Sequence, residues 1–102
     1  MIHVIATIKV KSGMRETYLV ILKANVPNVL AEKGCIAYVP TVDVESGIPV
    51  QVDLRADVVT LVETWESLAD LQAHLKTPHM LAYREKVKNI VKNISLHVLA
   101  PV

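Results

Sequence analysis

Residues 58–80 read Val58-Val59-Thr60-Leu61-Val62-Glu63-Thr64-Trp65-Glu66-Ser67-Leu68-Ala69-Asp70-Leu71-Gln72-Ala73-His74-Leu75-Lys76-Thr77-Pro78-His79-Met80. The first eight have the period of two of a β-strand, with Val59, Leu61, Glu63 and Trp65 on one face and Val58, Thr60, Val62 and Thr64 on the other. Ser67 then caps a short helix, with Asp70 three positions on in a loose capping-box spacing. Leu68, Leu71 and Leu75 are its apolar positions. The helix stops at Thr77-Pro78, and the same dipeptide starts another: a threonine cap with proline at the first helical position.

Outward from this stretch, the last helix is expected over Pro78–Asn93, with Tyr83, Val87, Ile90 and Val91 inward. Ile94 to Leu99 closes as a strand. Upstream, Ile2 to Val10 alternates like a strand and ends at Ser12-Gly13. A helix from about Met14 to Glu32 carries Met14, Tyr18, Ile21, Leu22 and Val29 at helical spacing. Pro27 lies inside it, which predicts a kink or break near Val26. Gly34 is a suitable stop. A second strand follows over Cys35–Val44, with Ile36, Tyr38, Val42 and Val44 sharing a face, and Pro40 placing it at an edge or a bulge. Residues 43–57 form a long hairpin connection in which Val50 to Leu54 could add a short strand.

The order is β-α-β-β-α-β, the ferredoxin-like or split βαβ pattern. The expected fold class is α+β: a four-stranded antiparallel sheet with helices on one face, in one domain of 102 residues. The chain is 52% hydrophobic and only 21% charged. Neither face of the strands is convincingly polar, and monomers rarely expose large apolar patches. The uncovered sheet face is therefore expected to pack on a second copy, giving a two-fold homodimer built as an α/β barrel.

Eleven Lys and Arg against ten Asp and Glu, with no basic run, give no indication of nucleic-acid binding. No apolar run approaches the ~20 residues of a membrane span, and the N-terminus lacks the basic region of a signal peptide. Cys35 is the single cysteine, so no internal disulfide forms, and a cytoplasmic location is expected. A buried structural role suits Cys35 better than a reactive one.

Four features could carry chemistry. Glu63 and Trp65 share a strand face and would enter an apolar cavity if that face meets the helices; a carboxyl held there would have a raised pKa. The alternative is a solvated Glu63 at the strand's end. His74 and His79 straddle a helix stop and a helix start, and both imidazoles could converge on one cavity mouth as proton carriers; the alternative is two capping or surface histidines. Tyr38 and Tyr83 could orient a ring-shaped ligand through their hydroxyls, while Tyr18 suits packing. Arg84 could bind an anionic intermediate or lie on a solvated helix face. No HExxH or cysteine pair supports a metal site, and no phosphate loop, nucleophile elbow or dinucleotide fingerprint supports a flavin or nicotinamide. No cofactor is expected.

Glu63-Thr64-Trp65-Glu66-Ser67, followed by Leu71, His74, Thr77-Pro78-His79 and Tyr83, resembles the antibiotic-biosynthesis monooxygenase family. With the opening strand, Val26-Pro27, Glu32-Lys33-Gly34-Cys35, Tyr38 and Ala82-Tyr83, the likeness spans nearly the whole chain and is greatest to the bacterial quinol monooxygenase branch. The resemblance implies a dimeric α+β barrel with an apolar pocket between sheet and helices. It also implies oxidation of quinol-like or polycyclic aromatics by dioxygen without metal or flavin. In that reading His74 and His79 handle protons. Trp65 and Tyr83 stack on or orient the ring, with Tyr38 and Arg84 also binding substrate. Glu63 orients a histidine or accepts a proton. A haem-degrading branch is disfavoured, because the positions of its asparagine, aromatic and axial histidine hold Ala6, His74 and Arg84. The competing readings are an isomerase for a phosphorylated autoinducer product, which shares the histidine spacing, and a non-catalytic small-ligand-binding dimer.

Overall fold

The computed structural model describes the whole chain, Met1–Val102. Its elements are β1 (Ile2–Val10), α1 (Arg15–Leu30), β2 (Cys35–Thr41), β3 (Val58–Trp65), α2 (Leu68–His74), α3 (Pro78–Val87) and β4 (Val91–Leu99). The four strands form one antiparallel sheet in the order β2-β3-β1-β4. This is the expected ferredoxin-like α+β fold, with β2 and its Pro40 at an edge, where a missing N–H costs the sheet least.

Residues paired across strands point to the same face, so the register defines the layer that meets the helices. Val4, Ala6 and Ile8 of β1 lie opposite Glu63, Leu61 and Val59 of β3, and opposite Val98, Leu96 and Ile94 of β4. Tyr38 of β2 lies opposite Glu63. Against this layer the helices bury Tyr18, Leu22 and Val29 of α1, Leu71 of α2, and Met80 and Val87 of α3. The side chains of Ser67 and Thr77 accept from the backbone N–H groups of Asp70 and Met80, so both expected caps form.

Four local expectations are corrected. First, α1 runs through Pro27 without a break near Val26 and ends at Leu30, short of Glu32. Pro27 lies in the last turn, where Val29 is fully buried and the carbonyls of Pro27 and Val29 still receive N–H bonds from Ala31 and Glu32. Second, β2 stops at Thr41 rather than Val44, and its register shifts between Cys35 and Ala37. Ile36 is the extra residue of that bulge, so it faces outward while Tyr38 is buried. Third, α3 ends at Val87 and β4 begins at Val91, not Ile94. Ile90 N–H bonds the Val87 carbonyl and Ile90 C=O receives Lys11 N–H, turning the chain into the sheet early. An apolar Val91 suits a helix face and a strand equally, which is why its periodicity misleads.

Fourth, no strand forms over residues 50–54. Residues 42–57 make an extended arm tied at its base by Arg55, which donates to both carboxylate oxygens of Asp43 at 2.9 Å. The hydrogen bonds from Arg55 hold the Asp43 carboxyl at about 2. Beyond that tie Val44, Ile48, Val50 and Val52 are exposed, Val50 by 89%. The uncovered sheet face is mixed, with His3, Thr7, Thr64, Ser95 and His97 among Ile5, Val62 and Leu99. No helix is long and apolar enough to cross a membrane.

Candidate active site

Between the sheet and the helices lies a cavity of about 330 Å³, near the small end of the roughly 300–1,000 Å³ typical of small-molecule sites. Its wall is largely apolar, with Val4, Ala6, Ile8, Leu61, Leu71, Met80 and Leu96 prominent. Polar groups enter it from five places: Glu63 on β3, Tyr38 on β2, Tyr18 on α1, His74 at the end of α2, and Tyr83 on α3. Arg84, in the last turn of α3, and Lys88, just past its end, are exposed yet also line it, which places two cations at its opening.

Glu63 is buried, not solvated at a strand end; only 4% of it is exposed. One carboxyl oxygen accepts a bond of 2.9 Å from Trp65 Nε1–H. No polar side-chain atom sealed from solvent is left unpaired, so the other oxygen, which makes no bond, opens on the cavity that Glu63 lines. Burial raises the Glu63 pKa to about 7; the Trp65 bond opposes that rise and the negative Glu32 adds to it. A carboxyl with that pKa can both take and give a proton near neutrality.

His74 is equally enclosed. Its ring packs on Trp65 at 4.7 Å between centroids and meets the edge of Tyr38 at 5.6 Å. Burial lowers its pKa, and the charges of His79 and Arg84 lower it further, while the bond and charge of Glu32 oppose. Nδ1 lies 3.1 and 2.8 Å from the two oxygens of Glu32.

The structure therefore divides the expected site residues. His74, Glu63, Tyr38, Tyr83 and Arg84 share one cavity. Trp65 does not line it; fully buried, it stands behind Glu63 and His74 and supports both. His79 does not line it either. Its imidazole faces a smaller, more polar depression of about 120 Å³, with Asn25, Asn28, Tyr83 and Lys86 in the wall. The two imidazoles thus share one carboxylate oxygen, one ring lining the cavity and the other the outer depression, instead of converging on one mouth. That carboxylate is Glu32, which the sequence reading did not single out as a site residue. Glu63, expected to orient a histidine or accept a proton, bonds neither imidazole; its partner is Trp65. One sequence signal could have found Glu32: it stands just past the end of α1, where the helix dipole disfavours a negative charge.

Tyr18 does more than pack. Its hydroxyl makes a short hydrogen bond with that of Tyr83 across the cavity wall. Burial raises the pKa of Tyr18, Tyr38 and Tyr83 alike, so at neutral pH all three phenols are protonated hydrogen-bonding groups rather than bases. Cys35 is half-buried, and burial together with the charges of Glu32 and Glu63 pushes its thiol up to about 11, which keeps it unreactive. No group of three or more His, Cys, Asp or Glu side chains is arranged to hold a metal ion.

Comparison with known proteins meets the fold and cavity at this point. The family model described as antibiotic biosynthesis monooxygenase matches residues 1–86. The chain belongs to that family. It is 42% identical over 103 residues to the protein named "Probable quinol monooxygenase YgiN" of Escherichia coli K12, covering 99% of this chain and 98% of that one. A crystal structure from Pseudomonas aeruginosa superposes with a TM-score of 0.80 at 25% identity, over 99% of this chain and 93% of the other. A family structure from Nitrosomonas europaea gives 0.83 at 17% identity, over 100% and 99%, and shares the fold.

Proposed function

We propose that this protein is a cofactor-independent monooxygenase that oxidises quinol-like aromatic small molecules with dioxygen. Family membership and the E. coli relative support a monooxygenase. The observation that carries the finer reading is the pair of groups opening on an apolar cavity: Glu63, with a pKa of about 7, and the unbonded Nε2 of His74. A quinol is oxidised readily only once deprotonated. One of these groups takes the phenolic proton; the quinolate passes an electron to dioxygen, and recombination forms a C–O bond. The peroxide O–O bond then breaks. One oxygen stays on the ring and the other leaves as water with the protons that the site returns. The balance is quinol plus O₂ giving hydroxyquinone plus H₂O, with all electrons supplied by the substrate. Tyr38 and Tyr83 orient the ring, Trp65 holds Glu63 and His74 in place, and Arg84 with Lys88 at the opening stabilises the quinolate once it has formed.

We also propose that the working unit is a homodimer. The exposed Val44, Ile48, Val50 and Val52 of the arm, with Val62 and Leu99 on the uncovered sheet face, are the apolar side chains that a second copy would cover. Sedimentation as a monomer at micromolar concentration contradicts this. The isomerase reading gains a second cation in Lys88, but a phosphorylated sugar would leave its hydroxyls unpaired against the apolar wall.

The test is dioxygen uptake by chelator-treated protein with a reduced naphthoquinol, corrected for spontaneous oxidation. Uptake in proportion to enzyme, with one ¹⁸O atom from ¹⁸O₂ in the product, is the expected result. Uptake equal to background across several quinols refutes the reading.

A further inference from the structure

Glu32 touches both histidines. Nδ1 of His74 lies 2.8 Å and Nε2 of His79 2.7 Å from its Oε2, and the three side chains are 9%, 2% and 25% exposed in the order Glu32, His74, His79. They come from three places: the turn after α1, the end of α2 and the first turn of α3. An ionised carboxylate only accepts hydrogen bonds. Each imidazole must therefore present an N–H to it, Nδ1–H from His74 and Nε2–H from His79. Neutral His74 then carries its lone pair on Nε2, the nitrogen open to the cavity. The remaining nitrogen of His79, Nδ1, makes no bond within the protein and belongs to a ring lining the outer depression beside Asn28 and Lys86.

We infer that Glu32 is the positioning residue of the site, fixing the tautomer that turns His74 Nε2 to the substrate, and that protonation of His79 on its outer side sets the basicity of His74 through the shared carboxylate. The inference rests on the reading of the cavity as the place where a quinol loses its proton. The other charged or titratable groups that face the triad come from β2, β3 and α3. Cys35 and Tyr38 face it from β2, Glu63 from β3, and Tyr83, Arg84 and Lys86 from α3. None of them bonds Glu32 or either imidazole, so the two nitrogen–carboxylate links are the direct route between His79 and His74.

The signs are opposite for the two partners. Removing the negative charge of Glu32 weakens His74 as a base. Removing the positive charge of His79 strengthens it. The base acts when neutral, so the acid limb of the turnover profile follows the His74 pKa. Glu32→Gln keeps an acceptor for Nδ1–H but no charge. It should move the acid limb to lower pH and lower kcat at least tenfold, with KM within twofold. His79→Gln keeps an N–H within reach of Glu32 but cannot titrate. It should move the acid limb at least half a pH unit higher. A purely structural role for the triad lowers the melting temperature without moving the two limbs in opposite directions.

The decisive readout needs no turnover. Nitrogen-15 NMR of the imidazoles in the free protein should show His74 as the Nδ1–H tautomer and a higher His74 pKa in His79→Gln than in the parent. An Nε2–H tautomer at His74, or a His74 titration indifferent to His79→Gln, overturns the inference. If the parent protein consumes no dioxygen above background, the monooxygenase reading fails while the NMR arm still decides this one. If Glu32→Gln does not fold, the parent spectrum and the His79→Gln titration decide it.

Discussion

Replacing Glu63 with glutamine should make the protein more stable at alkaline pH while weakening its catalysis. The Glu63 carboxyl has a pKa raised from the usual 4.5 to about 7, chiefly by burial. The folded state therefore holds a proton that the unfolded chain gives up. Below the unfolded value of 4.5 both states are protonated, and Glu63 costs nothing. As pH rises from there through the folded value, the unfolded chain ionises freely while the folded protein does not, and stability falls. At about 1.36 kcal/mol per pH unit, the difference amounts to about 3 kcal/mol once pH is well above 7. Glu63→Gln keeps the shape, keeps a carbonyl to accept from Trp65 Nε1–H, and cannot titrate. Urea unfolding of parent and variant at pH 4.5 and pH 8.5, at equal protein concentration because any oligomer contributes by mass action, should show similar stability at the lower pH. At the higher pH the variant should gain up to about 3 kcal/mol, while its turnover of a naphthoquinol falls by roughly 10²-fold. Parallel stability–pH curves for the two proteins would refute the reasoning, since they would mean that Glu63 ionises in the fold as easily as in the unfolded chain.

Three further substitutions probe the rest of the site. His74→Ala should lower quinol-dependent dioxygen uptake at least about tenfold, with circular dichroism showing the fold retained; unchanged uptake removes His74 from the mechanism. Tyr83→Phe strips the Tyr18 hydroxyl of its partner inside the wall and should cost about 1–3 kcal/mol in denaturant melts. Adding Tyr18→Phe should then recover part of that loss, and a fully additive double variant would show that the hydroxyl pair is not coupled. Gly34→Ala should destabilise by about 1–3 kcal/mol, because Gly34 has a φ of +80° and a Cβ there would sit 2.1 Å from Oδ2 of Asp70 in the first turn of α2. Tolerance of alanine at 34 in thermal melts would mean that the turn leading into β2 relaxes freely.

Much of the architecture was legible because it is written locally. The alternation of Val58 to Trp65, the Ser67 and Thr77 caps and Pro78 each involve residues a few positions apart, and they fix three elements without reference to the rest of the chain. Glu63 shares its strand face with Val59, Leu61 and Trp65, but only the packing of the helices on that face decided between a buried and a solvated carboxyl. Where local pattern was ambiguous, packing decided. Alternation puts Ile36 on one face with Tyr38, and a bulge separates the two; periodicity puts Val91 in the last helix, and its pairing with Val10 makes it strand.

The site divides in the same way. The amino-acid sequence by itself supplied the residue types (His74, His79, Glu63 and the tyrosines) and a family resemblance that the comparisons bear out. The tertiary structure alone decided which of them meet. Glu32 lies 42 residues from His74 and 47 from His79, and nothing in their spacing relates them. They come together because α1, α2 and α3 pack on one sheet face. The same packing puts Trp65 behind the cavity rather than in its wall, and His79 outside it. Residue type and local period are properties of short stretches of chain, whereas the direction and partner of a buried polar side chain depend on how whole elements are stacked, and that is settled only when the core closes.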